Sequence, residues 1–240
     1  MPDLPAKPNL RRTDHHLLAL YARLHCEDAA WSLALELSAR LFPQTLQETI
    51  RRYRRPEDRC ARILGKWLLL KALAALGCPD VSLEGLRKDS NGRPSMENCI
   101  FDFNVSHSGE CVACVVATQE RVGIDLEKVR AVRIEDFRDV FASDLWSRLQ
   151  SDEAEPEVFF REWTRLEAVI KADGRGMQVP THSMQSNGDT IVFEDRIWYL
   201  REIALDAGHV CHVATAMKDA EIVVEPCWWD GTRIMNATTR

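Results

Sequence analysis

Mixed helix and strand is the fold class this sequence predicts. Short stretches such as Phe101-Asp102-Phe103-Asn104-Val105 and Val122 to Glu127 alternate apolar with polar residues, the period of a strand with one apolar face. Longer stretches, Pro56 to Leu76 and Phe159 to Asp173, repeat apolar residues at helical spacing and stop at Gly77 and Gly174. The 240 residues, 45% hydrophobic and 28% charged, suit an ordinary globular protein of one domain or two small ones.

In chain order, Leu17 to Leu24 is a short apolar run, read as a strand in preference to a helix start. Ala29 to Ala39 has helical periodicity behind an acidic start in Glu27 and Asp28. Leu46, Ile50 and Tyr53 continue a helical stripe after Pro43, and Pro56-Glu57-Asp58 suits the first turn of the next helix. Six arginines fall between residues 51 and 62 of a chain whose net charge is -6. They form either a solvated basic face or an anion-binding one.

Asp89 to Pro94 is a turn cluster. The strand after it ends in a polar loop, Ser106-His107-Ser108-Gly109, where His107 on its own reads as a residue capping its turn. Cys111 to Thr118 and Val122 to Glu127 are expected to pair as a hairpin around Gln119-Glu120-Arg121. Ile134 to Leu149 reads as a helix, and Asp152 to Glu157 as an acidic loop or helix start. Thr190 to Leu200 and Val210 to Pro226 read as alternating strands that complete a sheet. No internal repeat stands out; Leu70-Lys71-Ala72 against Ile170-Lys171-Ala172 is too slight to count.

The acidic balance argues against a nucleic-acid partner. Met1 to His16 is polar, and the most apolar run, Ile63 to Gly77, is broken by Lys66 and Lys71, so no membrane segment and a cytoplasmic location are expected. Eight scattered cysteines read as reduced thiols. Cys111 and Cys114, three apart on a strand, point to opposite faces and do not make a metal pair. His209 and His212 read as strand residues for the same reason.

Chemistry concentrates in two places. Asp125 and Glu127 point the same way on their strand with no cation between them in sequence, and at about 4 Å two carboxylates repel by roughly 4 kcal/mol in a surface-like dielectric. A divalent cation with oxygen ligands is the simplest remedy. On the late helix Trp163, Glu167 and Lys171 share a face at intervals of four, and by spacing alone Glu167 and Lys171 are a surface ion pair worth about 0.3–0.5 kcal/mol.

Together these segments resemble the 4'-phosphopantetheinyl transferase family, of the long, Sfp-like type. Gly92-Arg93-Pro94 is similar to its Gly-Lys/Arg-Pro turn and Phe103 to Ser108 to its Asn-(Ile/Val)-Ser-His block. Val122 to Glu127 resembles its Gly-(Ile/Val)-Asp-(Ile/Val/Leu)-Glu strand, and Trp163 to Lys171 its Trp-x-x-Lys-Glu-(Ala/Ser)-x-x-Lys helix. Four blocks in the family's order are a strong signal. The likeness covers roughly residues 46 to 180. Leu166 replaces the first lysine of the helix motif, and the lysines that Sfp-like members carry near Leu46 and Thr49 are missing; Arg51, Arg52, Arg55 or Arg62 would substitute.

The resemblance implies two similar α+β halves related by a pseudo-twofold, residues 1–118 and 119–240, with an active-site cleft between them. The first half would supply coenzyme A phosphate and adenylate contacts, the second the metal-binding carboxylates and the catalytic helix. The implied reaction moves the phosphopantetheine arm of coenzyme A to a serine of an acyl or peptidyl carrier protein, releasing adenosine 3',5'-bisphosphate. The implied ligands of Mg2+ or Mn2+ are Asp125, Glu127 and Glu167. Glu167, directly or through a water held by the ion, would be the base, and Lys171 would serve the leaving phosphate. Ser106 and His107 would contact phosphates, and Arg93, Arg62 and Arg55 the nucleotide end. A monomer suffices. Lys128, Arg130, Arg133, Phe137 and Phe141 are the expected docking face for an acidic carrier.

Overall fold

The computed structural model describes residues 16–97, 99–118, 120–150, 155–205 and 208–237. The polar stretch before His16 and the acidic residues Asp152 to Ala154 lie outside the described residues. The chain runs β1 (His16–Arg23), α1 (Ala29–Ser38), α2 (Gln44–Arg51), α3 (Pro56–Ala75), β2 (Leu86–Lys88), β3 (Pro94–Met96), β4 (Phe101–Ser108), β5 (Cys111–Thr118) and β6 (Val122–Lys128). It continues through α4 (Ser143–Leu149), α5 (Pro156–Asp173), β7 (Gln185–Asn187), β8 (Thr190–Phe193), β9 (Arg196–Glu202), β10 (His209–Thr215), β11 (Glu221–Trp229) and β12 (Ile234–Asn236).

Two five-stranded sheets result, ordered β12-β11-β1-β5-β4 and β6-β10-β9-β8-β7, beside a β2-β3 ribbon. Their cores share one connectivity. A first strand (β1, β6) is followed by short helical segments and a long helix (α3, α5), then by a small hairpin (β2-β3, β7-β8). Two antiparallel strands then come back so that the last lies beside the first: β1-β5-β4 in one sheet, β6-β10-β9 in the other. This is an α+β protein.

Alternation along the strands builds the layers. Leu17 and Ala19 of β1, with Ala113 and Val115 of β5, pack against Val122, Ile124 and Leu126 of β6 and Cys211 and Val213 of β10. The opposite face of the first sheet takes α3 through Leu64, Leu68 and Leu69, while that of the second takes α5 through Val169 and Ala172. Burying such a leucine fully is worth about 1.5–3 kcal/mol. Cys111 and Cys114 do face opposite ways, into different clusters, and all eight cysteines are unbridged.

Several expectations need correcting. Cys111 to Thr118 and Val122 to Glu127 do not form a hairpin: β5 is already paired on both edges, with β1 and β4, so the chain crosses to start the second sheet. The tight turn is instead β4 to β5, at Gly109, whose φ of 56° suits a residue without Cβ. His107 therefore sits in a strand and caps no turn. Ile134 to Leu149 is a 3-10 turn at Ile134–Phe137 followed by α4, as Phe137 and Phe141 fold onto Phe159 and Trp163. Val210 to Pro226 splits between sheets. Its second part is β11, which runs parallel to β1 and covers an edge that would otherwise present unpaired N–H and C=O groups. Among the described residues no helix is long and apolar enough to cross a membrane.

Candidate active site

The two sheets meet at their edge strands, β4 and β6, without backbone pairing between them. Side chains do the joining. Asp102, Asn104, Ser106 and Ser108 lie on one face of β4. They accept the backbone N–H groups of Val122, Ile124, Leu126 and Lys128 at 2.8, 3.1, 3.4 and 3.2 Å. Each second residue of one edge thus satisfies each second N–H of the other, donors that a bare edge strand would leave open.

Arg93 locks one end of this ladder. It is 6% exposed, holds Asp102 in two bonds of 2.7 Å, and donates to the carbonyls of Val122 and, at the end of α5, Lys171. The Arg93 guanidinium, expected to contact the nucleotide, is engaged here with the protein and ties the start of β3 and β4 to β6 and α5. Ser106 is buried too: its Oγ donates to Asp125 Oδ1 at 3.0 Å, and it accepts from Lys171 Nζ at 2.9 Å and from Leu126 N–H.

The long helix α5 is placed by a glycine. α5 opens with Pro156 at its first position and ends at Gly174, φ 90°, whose N–H takes the Ile170 carbonyl. It crosses β6 at Gly123, where an added Cβ would lie 2.5 Å from the Ala172 nitrogen and closer still to the Ala168 carbonyl oxygen. Only glycine permits that approach, and it brings Lys171 to Asp125, with Nζ 2.6 Å from Oδ1. Lys171 therefore pairs with Asp125, not with Glu167 as helical spacing suggests.

Around this pair the carboxylates are crowded. Glu127 accepts from Ser108 Oγ at 2.6 Å, yet burial and the neighbouring Asp125 raise its pKa above the usual value. Burial, then Asp125 and Glu127, raise Glu167 as well, with Lys171 opposing. Asp125 Oδ2 is buried with no hydrogen-bond partner among the described residues. Beside the one ammonium, the three carboxylates, with an orphaned oxygen among them, offer oxygen atoms of the kind that a hard divalent cation takes. Among the described residues no group of three or more His, Cys, Asp or Glu side chains is placed to hold a metal ion; Lys171 is paired with Asp125 instead.

On the other face of β4, His107 is exposed beside α3. Desolvation, with the cations of Arg62 and Lys171 close by, lowers its pKa. The Arg62 guanidinium lies over the Tyr53 ring at 3.8 Å, and its Nε is buried without an acceptor among the described residues. Arg55 is exposed at the start of α3 and has no ion pair or side-chain hydrogen bond among the described residues. On the expected docking face, Arg130 and Arg133 are exposed and Lys128 pairs with Glu110, but Phe141 is 3% exposed and Phe137 packs edge-on against Phe159 and Trp163. Phe141 belongs to the core. Sequence reasoning missed Asp102, Asn104 and Ser108. Their signal was a run of small acceptors at every second position of a strand, which shows a polar face but not what it meets.

Comparisons with known proteins bear on this geometry. A family profile described as 4'-phosphopantetheinyl transferase, N-terminal, matches residues 27–120, and one described as the 4'-phosphopantetheinyl transferase superfamily matches residues 121–211. The chain is 30% identical over 154 residues to the 4'-phosphopantetheinyl transferase gsp of Aneurinibacillus migulanus, covering 62% of this chain and 64% of that one. It is 27% identical over 187 residues to Sfp of Bacillus subtilis, covering 72% and 81%. To the L-aminoadipate-semialdehyde dehydrogenase-phosphopantetheinyl transferase of Xenopus laevis it is 28% identical over 218 residues, covering 77% and 71%. The chain thus spans just under two thirds of the length of gsp and more of the other two. The two profile matches abut without a gap where the chain passes from the first sheet to the second. This chain belongs to the 4'-phosphopantetheinyl transferase superfamily.

Proposed function

We propose that this protein transfers the phosphopantetheine arm of coenzyme A to a serine of an acyl or peptidyl carrier protein and releases adenosine 3',5'-bisphosphate. The observation that supports this most is the Lys171–Asp125 ion pair where α5 crosses β6, with Glu127 and Glu167 near enough for the Asp125 charge to raise their carboxyls. Asp125, Glu127 and Glu167 are the residues to hold Mg2+ or Mn2+. When bound, such an ion neutralises phosphate charge as the phosphoester bond breaks.

The chain's own groups supply the rest. Glu167, its carboxyl raised by burial, is suited to accept the proton of the carrier serine. Lys171 faces both the acids and His107, and can pass from Asp125 to the leaving phosphate when charge there is otherwise balanced. His107 and Arg62, cations or donors on the α3 side, suit the phosphates of coenzyme A. Arg130 and Arg133 are the exposed charges for an acidic carrier. The protein would act as a monomer in the cytoplasm.

The test is coenzyme A labelled in its pantetheine arm, incubated with this protein, Mg2+ and an apo carrier. Label on the carrier serine supports the reading. Phosphate released from coenzyme A with no carrier present points instead to a hydrolase.

A further inference from the structure

We propose that Ser108 is a positioning residue for the divalent cation, holding Glu127 in place through a hydroxyl whose direction the backbone fixes. The inference rests on the reading of Asp125, Glu127 and Glu167 as cation ligands. Ser108 Oγ accepts the Lys128 N–H at 3.2 Å, so its single proton is left for Glu127 Oε2, 2.6 Å away. Ser106 does the same one rung earlier, accepting the Leu126 N–H and donating to Asp125 Oδ1. The ladder thus does two jobs at these rungs: it ties β6 to β4 and orients the carboxylate that each rung faces.

Glu127 needs such a restraint. It stands at the end of β6, half-buried, beside Asp125 and Glu167, which repel it. A side chain with that freedom and that repulsion turns out to solvent unless held, and a ligand that wanders binds a cation weakly. Ser108 is itself held firmly. The Gly109 turn packs on the Lys128 side chain, and Glu110 pairs with Lys128 at 2.8 Å and with Arg23 at 3.1 Å.

Ser108→Thr and Ser108→Val test this, being alike in shape and different in the hydroxyl. Mn2+ binding to each full-length variant, with coenzyme A and without carrier, is followed by electron paramagnetic resonance, and the melting temperature of the metal-free protein is measured alongside. Ser108→Thr is expected to bind Mn2+ as wild type does. Ser108→Val should bind on the order of 10-fold more weakly. A purely structural role would lower the melting temperature of Ser108→Val without separating the two variants in Mn2+ affinity, and equal affinities overturn the proposal. If the variants differ while wild type transfers no arm, the proposal stands and the assigned reaction falls. Wild type that binds no Mn2+ defeats both.

Discussion

Lys171 Nζ lies 2.6 Å from Asp125 Oδ1, an ion pair between α5 and β6 formed by residues 46 apart in sequence. Asp125 is 5% exposed at its side chain and Lys171 27%. Removing the lysine leaves a buried, crowded carboxylate without its cation, which costs on the order of 3 kcal/mol. Lys171→Met should therefore lower the metal-free stability by about that much in urea unfolding and cut arm transfer at least 100-fold. Saturating Mg2+ should restore much of the stability but not the rate. Full activity in this variant would remove Lys171 from the chemistry.

Gly123 sets the distance between α5 and β6. A Cβ there would meet the backbone of Ala168 and Ala172, which cannot yield as a flexible side chain would. Gly123→Ala should cost about 3 kcal/mol or more, at the upper end for overpacking. It should also displace Glu167 and Lys171 together, so that transfer falls further than the folded fraction does. Gly92, with nothing within 4 Å of its added Cβ, is the control: Gly92→Ala strains only a positive φ of 84° and should leave the rate per folded molecule unchanged.

The same features show what the sequence could reveal. The acidic strand, the late helix and its glycine stop were legible because each rests on local periodicity. The repeat was not. Pro56-Glu57 and Pro156-Glu157 open equivalent helices, and the slight match of Leu70-Lys71-Ala72 to Ile170-Lys171-Ala172 falls near their equivalent ends, but the residues between differ. The ligand contacts of Arg93 and Ser106 rest on the family resemblance alone. Only the meeting of β4 with β6 shows that their hydrogen bonds close within the protein.

Arg93 should accordingly behave as a staple. Arg93→Lys cannot keep the two-pronged hold on Asp102 together with the carbonyls of Val122 and Lys171. Its expected cost is on the order of 3 kcal/mol in urea unfolding, with the Michaelis constant for coenzyme A within about twofold of wild type. A large rise in that constant at unchanged stability would show that Arg93 contacts coenzyme A.

His212 ties acid stability to the packing of α5 on β10. Its Nδ1 is 2.8 Å from Thr164 Oγ1, and burial, with Arg165 and Arg161 nearby, lowers its pKa from 6.5 to about 3. The folded state then binds fewer protons than the unfolded state between those values, so this contribution is complete above pH 6.5 and is lost as pH falls towards 3. The limiting slope is about 1.4 kcal/mol per pH unit. His212→Gln should flatten the decline in unfolding free energy over that range relative to wild type. An unchanged slope would show that His212 titrates normally.

The central claim is that carboxylates from β6 and α5 act together on a phosphate through a shared cation. The most direct measurement is the intact mass of an apo carrier after incubation with coenzyme A and either wild-type protein or Glu167→Gln, each with Mg2+ or with chelator. A mass gain matching one phosphopantetheine arm is predicted for wild type with Mg2+ and for no other combination. A gain that persists in Glu167→Gln or in chelator, or no gain with wild type and Mg2+, would contradict the account.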